Sequence, residues 1–241
     1  MPDRPSASSS VEMPDRRDEA DRLAELGERV TNCRTCPRLV AWREEVARTK
    51  RAAYADQEYW GRPIPGFGDP LAQLLVVGLA PAAHGGNRTG RIFTGDRSGD
   101  WLFGALWRAG YANQPTSASL DDGLELGGAY VTAVVRCAPP ANKPTTTERD
   151  NCLGYLVEEM HLLTNVKVIV ALGQFAYQCL SGILGLRPRP RFGHGVEVRL
   201  PEGGHLICSF HPSQQNTFTG RLTQDMFDAV FSRSRELEQL D

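Results

Sequence analysis

Strand-length apolar runs alternate with helix-period segments along most of this chain, and that alternation constrains its fold more than any other feature. Stretches at 72–79, 129–135, 166–171, 196–200 and 205–210 are rich in Val, Ile and Leu and bounded by turn-formers, which predicts β-strands. Elsewhere apolar residues recur at helical spacing. Leu23, Leu26 and Val30 do so within 19–32, a similar pattern runs over 39–54, and further helices are expected over 99–109, 146–163, 173–184 and 221–238. Strands and helices in alternation give an α/β fold, here a central, mostly parallel sheet flanked by helices on both faces in three α/β/α layers. At 241 residues, with 41% hydrophobic and 23% charged side chains, the chain can bury a full core without disulfide staples. No repeat or composition break divides 21–241, which is expected to be a single domain.

The same arithmetic excludes several classes. The most apolar stretches, 74–79 and 166–172, are far shorter than the ~20 residues of a membrane span. The first thirty residues lack the basic-then-apolar order of a signal peptide, and six cysteines are too few for a disulfide scaffold, so a reducing cytoplasm is the expected compartment. The formal net charge is −2, and all of it resides in 1–20, where three arginines face five acids among Pro2, Pro5 and a serine run. That stretch has too little apolar content to offset its ordering entropy and is expected to be a disordered tail. The rest of the chain is neutral, so no global positive field argues for a nucleic-acid partner.

In sheets of this type ligands bind beyond the carboxyl ends of the strands, and three polar loops follow the predicted strands there. The first runs from Gly78 through His84-Gly-Gly and Arg88 to Asp96-Arg-Ser-Gly99; the second is Arg136-Cys-Ala-Pro-Pro-Ala-Asn142-Lys-Pro; the third is His211-Pro-Ser-Gln-Gln-Asn216-Thr. The first loop is not a phosphate-binding P-loop, because Arg91-Ile92 stand where Lys-Ser/Thr are required. Nor is it an esterase oxyanion loop, since no Gly-x-Ser-x-Gly elbow exists in the chain. What remains is a backbone-rich loop with a carboxylate, Asp96, at the start of a helix, where an N-cap is the alternative role. Asn142 beside Pro140 and Pro144 reads equally as a turn-former, His211 as a structural histidine and Phe93 as core filler. Arg88, Arg91, Arg97 and Arg221 place positive charge near these loops, and Arg187, Arg189 and Arg191 form either a further phosphate contact or a solvated loop. Cys33 and Cys36 form a Cys-x2-Cys pair, Cys137 and Cys152 follow with fourteen residues between them, and four such thiols suit either zinc or an iron–sulfur cluster. Cys179 and Cys208 fall in a predicted helix and strand and are expected to pack as small apolar side chains.

Taken together, Gly78-Leu-Ala-Pro-Ala-Ala-His84-Gly, Asn87-Arg-Thr-Gly, Phe93-Thr-Gly-Asp96, the Asn142 loop and His211-Pro-Ser-Gln-Gln-Asn216-Thr resemble the motifs of the uracil-DNA glycosylase superfamily, and most closely its family 5. The resemblance runs from about residue 33 to 223. It implies a monofunctional enzyme that hydrolyses the N-glycosidic bond of uracil in DNA, and of hypoxanthine, xanthine or ethenocytosine, leaving an abasic site for base excision repair. It implies a 4Fe–4S cluster on Cys33, Cys36, Cys137 and Cys152. The first motif, 78–82, carries no acid or amide, a departure shared with family 5, so the resemblance assigns water positioning and oxocarbenium stabilisation to Asp96, with Asn142 and His211 as the other catalytic residues. Phe93, Gly78, Ala82 and His84 would form the base pocket, and Arg88, Arg91, Arg97, Ser213, Asn216 and Arg221 would contact DNA. The expected partner is DNA holding uracil or another deaminated base, bound by a monomer with no membrane association, in the cytoplasm at the nucleoid. The rival readings are a noncatalytic iron–sulfur or zinc module that senses damaged DNA, and a hydrolase of free nucleosides or nucleotides.

Overall fold

The computed structural model of the protein describes residues 16–240. Most of the expected tail lies outside them, but its last part is helical: α1 spans Arg16–Thr31, and within it the buried Glu19 accepts a 2.7 Å hydrogen bond from Thr164 Oγ1. Leu23, Leu26 and Val30 form the buried stripe of α1, as their spacing predicts. Cys33 to Cys36 then turn the chain into α2 (Pro37–Thr49), with Pro37 in the first turn, where a missing N–H leaves no bond unmade. A 3-10 turn at Ala52–Tyr54 and the short β1 (Phe67–Gly68) follow. The remaining order is β2 (Leu74–Gly78), α3 (Gly86–Thr89), α4 (Arg97–Arg108), β3 (Ala129–Ala133), a 3-10 turn at Pro140–Asn142, α5 (Thr146–Leu162), β4 (Val168–Leu172), α6 (Gln174–Ile183), β5 (Glu197–Arg199), β6 (His205–Ser209), α7 (Gln214–Phe218) and α8 (Gln224–Glu238).

The six strands form one sheet in the order β1-β3-β2-β4-β6-β5. The four inner strands are parallel and the two edges antiparallel, with Val76 opposite Val131 on one side and Val170 on the other. All residues of the inner strands are buried, and alternate side chains enter opposite layers. Leu75, Val77, Ile169, Ala171 and Leu206 pack with the Leu23–Leu26 stripe, Leu156, Tyr177 and Leu180 of α1, α5 and α6. Leu74, Val76, Val131, Val170 and Ile207 pack with Leu102, Phe103, Phe227 and Phe231 of α4 and α8. Each such side chain contributes roughly 1.5–3 kcal/mol through its burial. Cys179 and Cys208 lie within the first of these layers.

From β2 the chain moves to β3 on one side and then to β4 on the other. That reversal opens a crevice at the carboxyl ends of the central strands, the position where open α/β sheets bind ligands.

Candidate active site

Loops leaving β2, β3 and β6 meet in that crevice around a cleft of about 660 Å³, within the range of small-molecule pockets. Phe93, Asp96, Asn142, His211, Ala82, Arg97 and Ser213 all line it. Phe93 is buried and held at φ 51, a conformation that non-glycine residues adopt rarely and mostly where surrounding structure imposes it. Its ring covers Gly78, where a Cβ would come within 2.5 Å of Phe93 Cζ, and lies 5.9 Å from the His211 ring at 30°. Gly78 therefore shapes the pocket from beneath Phe93 by lacking a side chain.

Asp96 is the N-cap of α4, with Oδ1 accepting a 3.0 Å hydrogen bond from the Gly99 N–H. Its Oδ2 lies over Gly85, where an added Cβ would come within 2.1 Å of it. Capping and lining the cleft are thus not alternatives, because one oxygen holds the helix while the carboxylate borders the cleft. Burial raises the Asp96 carboxyl above its ordinary value, against the lowering effect of the Gly99 and Ser98 N–H groups.

His211 faces the same space. Burial pushes its imidazole down to about 4, so at neutral pH it is an uncharged ring able to donate one hydrogen bond. Its backbone is fixed by Asn216, whose Nδ2 donates to the His211 carbonyl at 2.8 Å, and Gly173 at φ 91 lets the chain pass close to the His211 Cβ. Asn142 ends the 3-10 turn at φ 55, after Ala141 at φ 53, and is exposed. Three of the four described non-glycine residues with positive φ therefore sit in two of the cleft's loops.

The expected DNA contacts divide. Arg97 and Arg221 are exposed, stacked over Phe218 at 4.4 Å and Phe210 at 4.5 Å. Ser213 caps α7, its Oγ accepting from the Asn216 N–H, and lines the cleft. Arg91 corrects the sequence expectation: it is buried, paired with Asp122 at 2.6 Å and bonded to Ser117 and Thr94, so it cannot reach a phosphate. Arg88 is engaged internally, donating to the carbonyls of His84 and Gly95 and to Gln57 while its guanidinium covers Tyr54 at 4.0 Å. It braces the first loop. His84 also lies off the cleft, its Nδ1 bonded to the Tyr59 hydroxyl at 3.1 Å. Arg187, Arg189 and Arg191 are exposed.

Behind the crevice, Cys33, Cys36, Cys137 and Cys152 line a second, smaller cavity with Arg43, Asn151 and Tyr155. Arg43 Nη1 donates to Cys137 Sγ at 2.9 Å, the Arg136 N–H to Cys152 Sγ at 3.3 Å, and Asn151 Nδ2 to Cys36 Sγ at 3.5 Å. Burial pushes the Cys137 thiol up to about 12 against the lowering effect of Arg43, and it also raises Cys152. Among the described residues no three His, Cys, Asp or Glu side chains are grouped as ligands of a single ion. The four sulfurs instead line one shared cavity, three of them receiving N–H donors while Cys33 Sγ bonds Thr35 Oγ1, a donor set that suits a multi-atom cluster.

A model of the uracil DNA glycosylase superfamily matches residues 65–234, which hold the whole sheet from β1 to β6 and every loop of the cleft. The chain belongs to the uracil-DNA glycosylase superfamily. Within it, the chain is 53% identical over 226 residues to the Type-5 uracil-DNA glycosylase of Mycobacterium tuberculosis, covering 92% of this chain and 84% of that protein. It is 52% identical over 212 residues to the Type-5 uracil-DNA glycosylase of Thermus thermophilus, covering 88% and 96% of the two chains. It is 47% identical over 206 residues to that of Pyrobaculum aerophilum, covering 86% and 89%.

Four residues of this glycosylase fold escape the motif reading. Gly85 and Gly173 act by absence of a side chain, which no local pattern announces. Asn151 is placed only by the turn of α5 beside Cys152. Arg43 did leave a signal, since it occupies the buried stripe of α2 with Leu39, Val40 and Val46.

Proposed function

We propose that this chain excises uracil from DNA by hydrolysing the base–deoxyribose bond, with Asp96, Asn142 and His211 as its catalytic residues. The observation that carries the reading is the convergence of an acid, an amide, a neutral imidazole and a stacking ring on one nucleotide-sized cleft. As the bond breaks, the sugar acquires oxocarbenium character and the base gains negative charge. Asp96 opposes the first, as carboxylates do in glycoside hydrolysis, and orients the attacking water. His211 donates to the base oxygen that gains charge, and its neutrality lets it donate without a titrating proton near pH 7. Asn142 contacts the base or assists the water, and Phe93 stacks on the flipped ring. Arg97, Ser213 and Arg221 stand where the DNA backbone would pass. The resemblance to family 5 supports including hypoxanthine, xanthine and ethenocytosine as further substrates.

The four cysteines hold a 4Fe–4S cluster in this reading. Bound, it supplies metal–sulfur links that tie the start of α2 to α5 and to the loop carrying Asn142, five residues beyond Cys137. Its role is structural. Among the described residues no helix is long and apolar enough to cross a membrane. A monomer working on DNA in the cytoplasm, at the nucleoid, is the matching setting.

The test is to incubate purified protein with labelled duplexes containing uracil, hypoxanthine or thymine and to cleave abasic sites with alkali. Breaks at uracil and hypoxanthine but not thymine support the reading. No abasic product from folded, iron-loaded protein would mean that the fold is kept for sensing DNA, and product from nucleosides alone would point to a monomer hydrolase.

A further inference from the structure

Arg43 is among the most deeply buried side chains of the molecule, at 2% exposure, and its charge is not balanced in the usual way. The other buried arginines have carboxylate partners: Arg91 pairs with Asp122 and Arg136 with Glu159. Among the described residues Arg43 is in no salt bridge; its Nη1 reaches Cys137 Sγ, its Nη2 the Cys33 carbonyl at 3.2 Å, and its Nε has no acceptor. A guanidinium stays charged at any ordinary pH, and an unpaired charge in the interior is costly enough that folded proteins supply a counter-charge. The only acidic groups lining its cavity are four thiols and the Tyr155 hydroxyl. Glu44, the nearest carboxylate in sequence, feels the Arg43 charge but is exposed and bonded to Arg34, so the counter-charge in contact with the guanidinium comes from the sulfurs, and a cluster held by four thiolates would carry it.

We infer that Arg43 is the buried counter-cation of the four-cysteine site. The residue is held in place from its backbone, where the Arg43 carbonyl accepts a 3.2 Å hydrogen bond from Nδ2 of Asn87, itself buried in α3 of the loop leading to Asp96. One residue thus touches the cysteine cavity with its side chain and the cleft-bearing loop with its main chain. It is a positioning residue. Its positive charge beside Cys137 favours the more reduced, more negative state of a bound cluster, and its N–H donor disperses charge from the sulfur.

This inference rests on the cluster reading, and the two are tested separately. Iron content and visible absorbance of the wild-type protein test the cluster itself: a colourless, zinc-loaded protein ends that reading and this inference with it. Given a brown wild type, the midpoint potential of the DNA-bound protein and the rate of absorbance bleaching by an iron chelator are measured for Arg43→Lys, Arg43→Gln and Arg43→Met. We expect Arg43→Gln and Arg43→Met to shift the potential downward and to bleach at least ~10-fold faster, while Arg43→Lys keeps the potential of the wild type. If Arg43→Met fails to fold, the comparison of Gln with Lys decides, since Gln keeps donors without charge. Equal potentials and bleaching rates in the wild type, Lys and Gln proteins overturn the inference.

Discussion

In the proposed mechanism the chemistry turns on Asp96, and the environment of this residue makes an unusual pair of expectations. Burial favours its protonated form, so the stability this group contributes is present below the ordinary carboxylate range and is lost as pH rises through its raised value. At neutral pH its charge therefore weakens the fold. Asp96→Asn is expected to slow uracil excision by about 100-fold or more while leaving the melting temperature equal to or above that of the wild type. A fall in both, read by single-turnover kinetics and calorimetry, would make Asp96 a helix cap alone. Gly85 acts through the same carboxylate: Gly85→Ala displaces Oδ2 and is expected to cost at least ~10-fold in rate, but nothing further once Asp96 is already Asn. Additive losses in the double variant would show that Gly85 acts elsewhere. The sequence offered capping and catalysis at Asp96 as alternatives, and it held no sign of Gly85's part. Asp96 was visible as an acid between glycines, but its two oxygens divide their work only because the chain brings residue 85 back against residue 96.

At the scale of elements, the inner strands were the most legible part. The stretches at 72–79, 129–135 and 205–210 each contain an observed strand, because a strand buried on both faces writes itself as an unbroken apolar run. By contrast β1 is two residues in a Gly- and Pro-rich segment, and only its pairing with β3 makes it a strand. The helices α3 and α7 have four and five residues, too short for a helical period to register. Yet α7 carries Asn216, which fixes the His211 backbone. The start of α5 is clearer: Thr145 and Glu148 form a reciprocal capping box, and Glu148 also accepts two hydrogen bonds from Arg38 of α2. Glu148→Ala should lower unfolding stability by about 1–2 kcal/mol, seen as an earlier denaturant midpoint. An unchanged midpoint would mean the box is dispensable and that other contacts set the entry of α5 beside the Asn142 loop.

For the whole molecule, the near-neutral charge was legible from the start, but its meaning was not. Four arginines in the sequence stood near the cleft loops; folding buries Arg91 with Asp122, binds Arg88 into the first loop and leaves Arg97 and Arg221 exposed. Two exposed arginines beside the cleft predict a weak salt dependence for contacts made at the cleft itself. The plot of log affinity for uracil-containing duplex against log salt should have a slope of about −2, losing about 1 in Arg97→Ala. A slope several times steeper would require a basic surface beyond the cleft. The proposed chemistry pairs a carboxylate of raised pKa with a histidine that stays neutral. It is tested most directly by the single-turnover rate of uracil release from duplex DNA between about pH 4 and 9, for wild type and Asp96→Asn. The expected profile has an acid limb above the ordinary carboxylate value, no inflection near the usual histidine value because His211 is held down to about 4, and no such limb in the variant. A profile governed by an inflection near pH 6.5, or an Asp96→Asn enzyme as fast as the wild type, would contradict it.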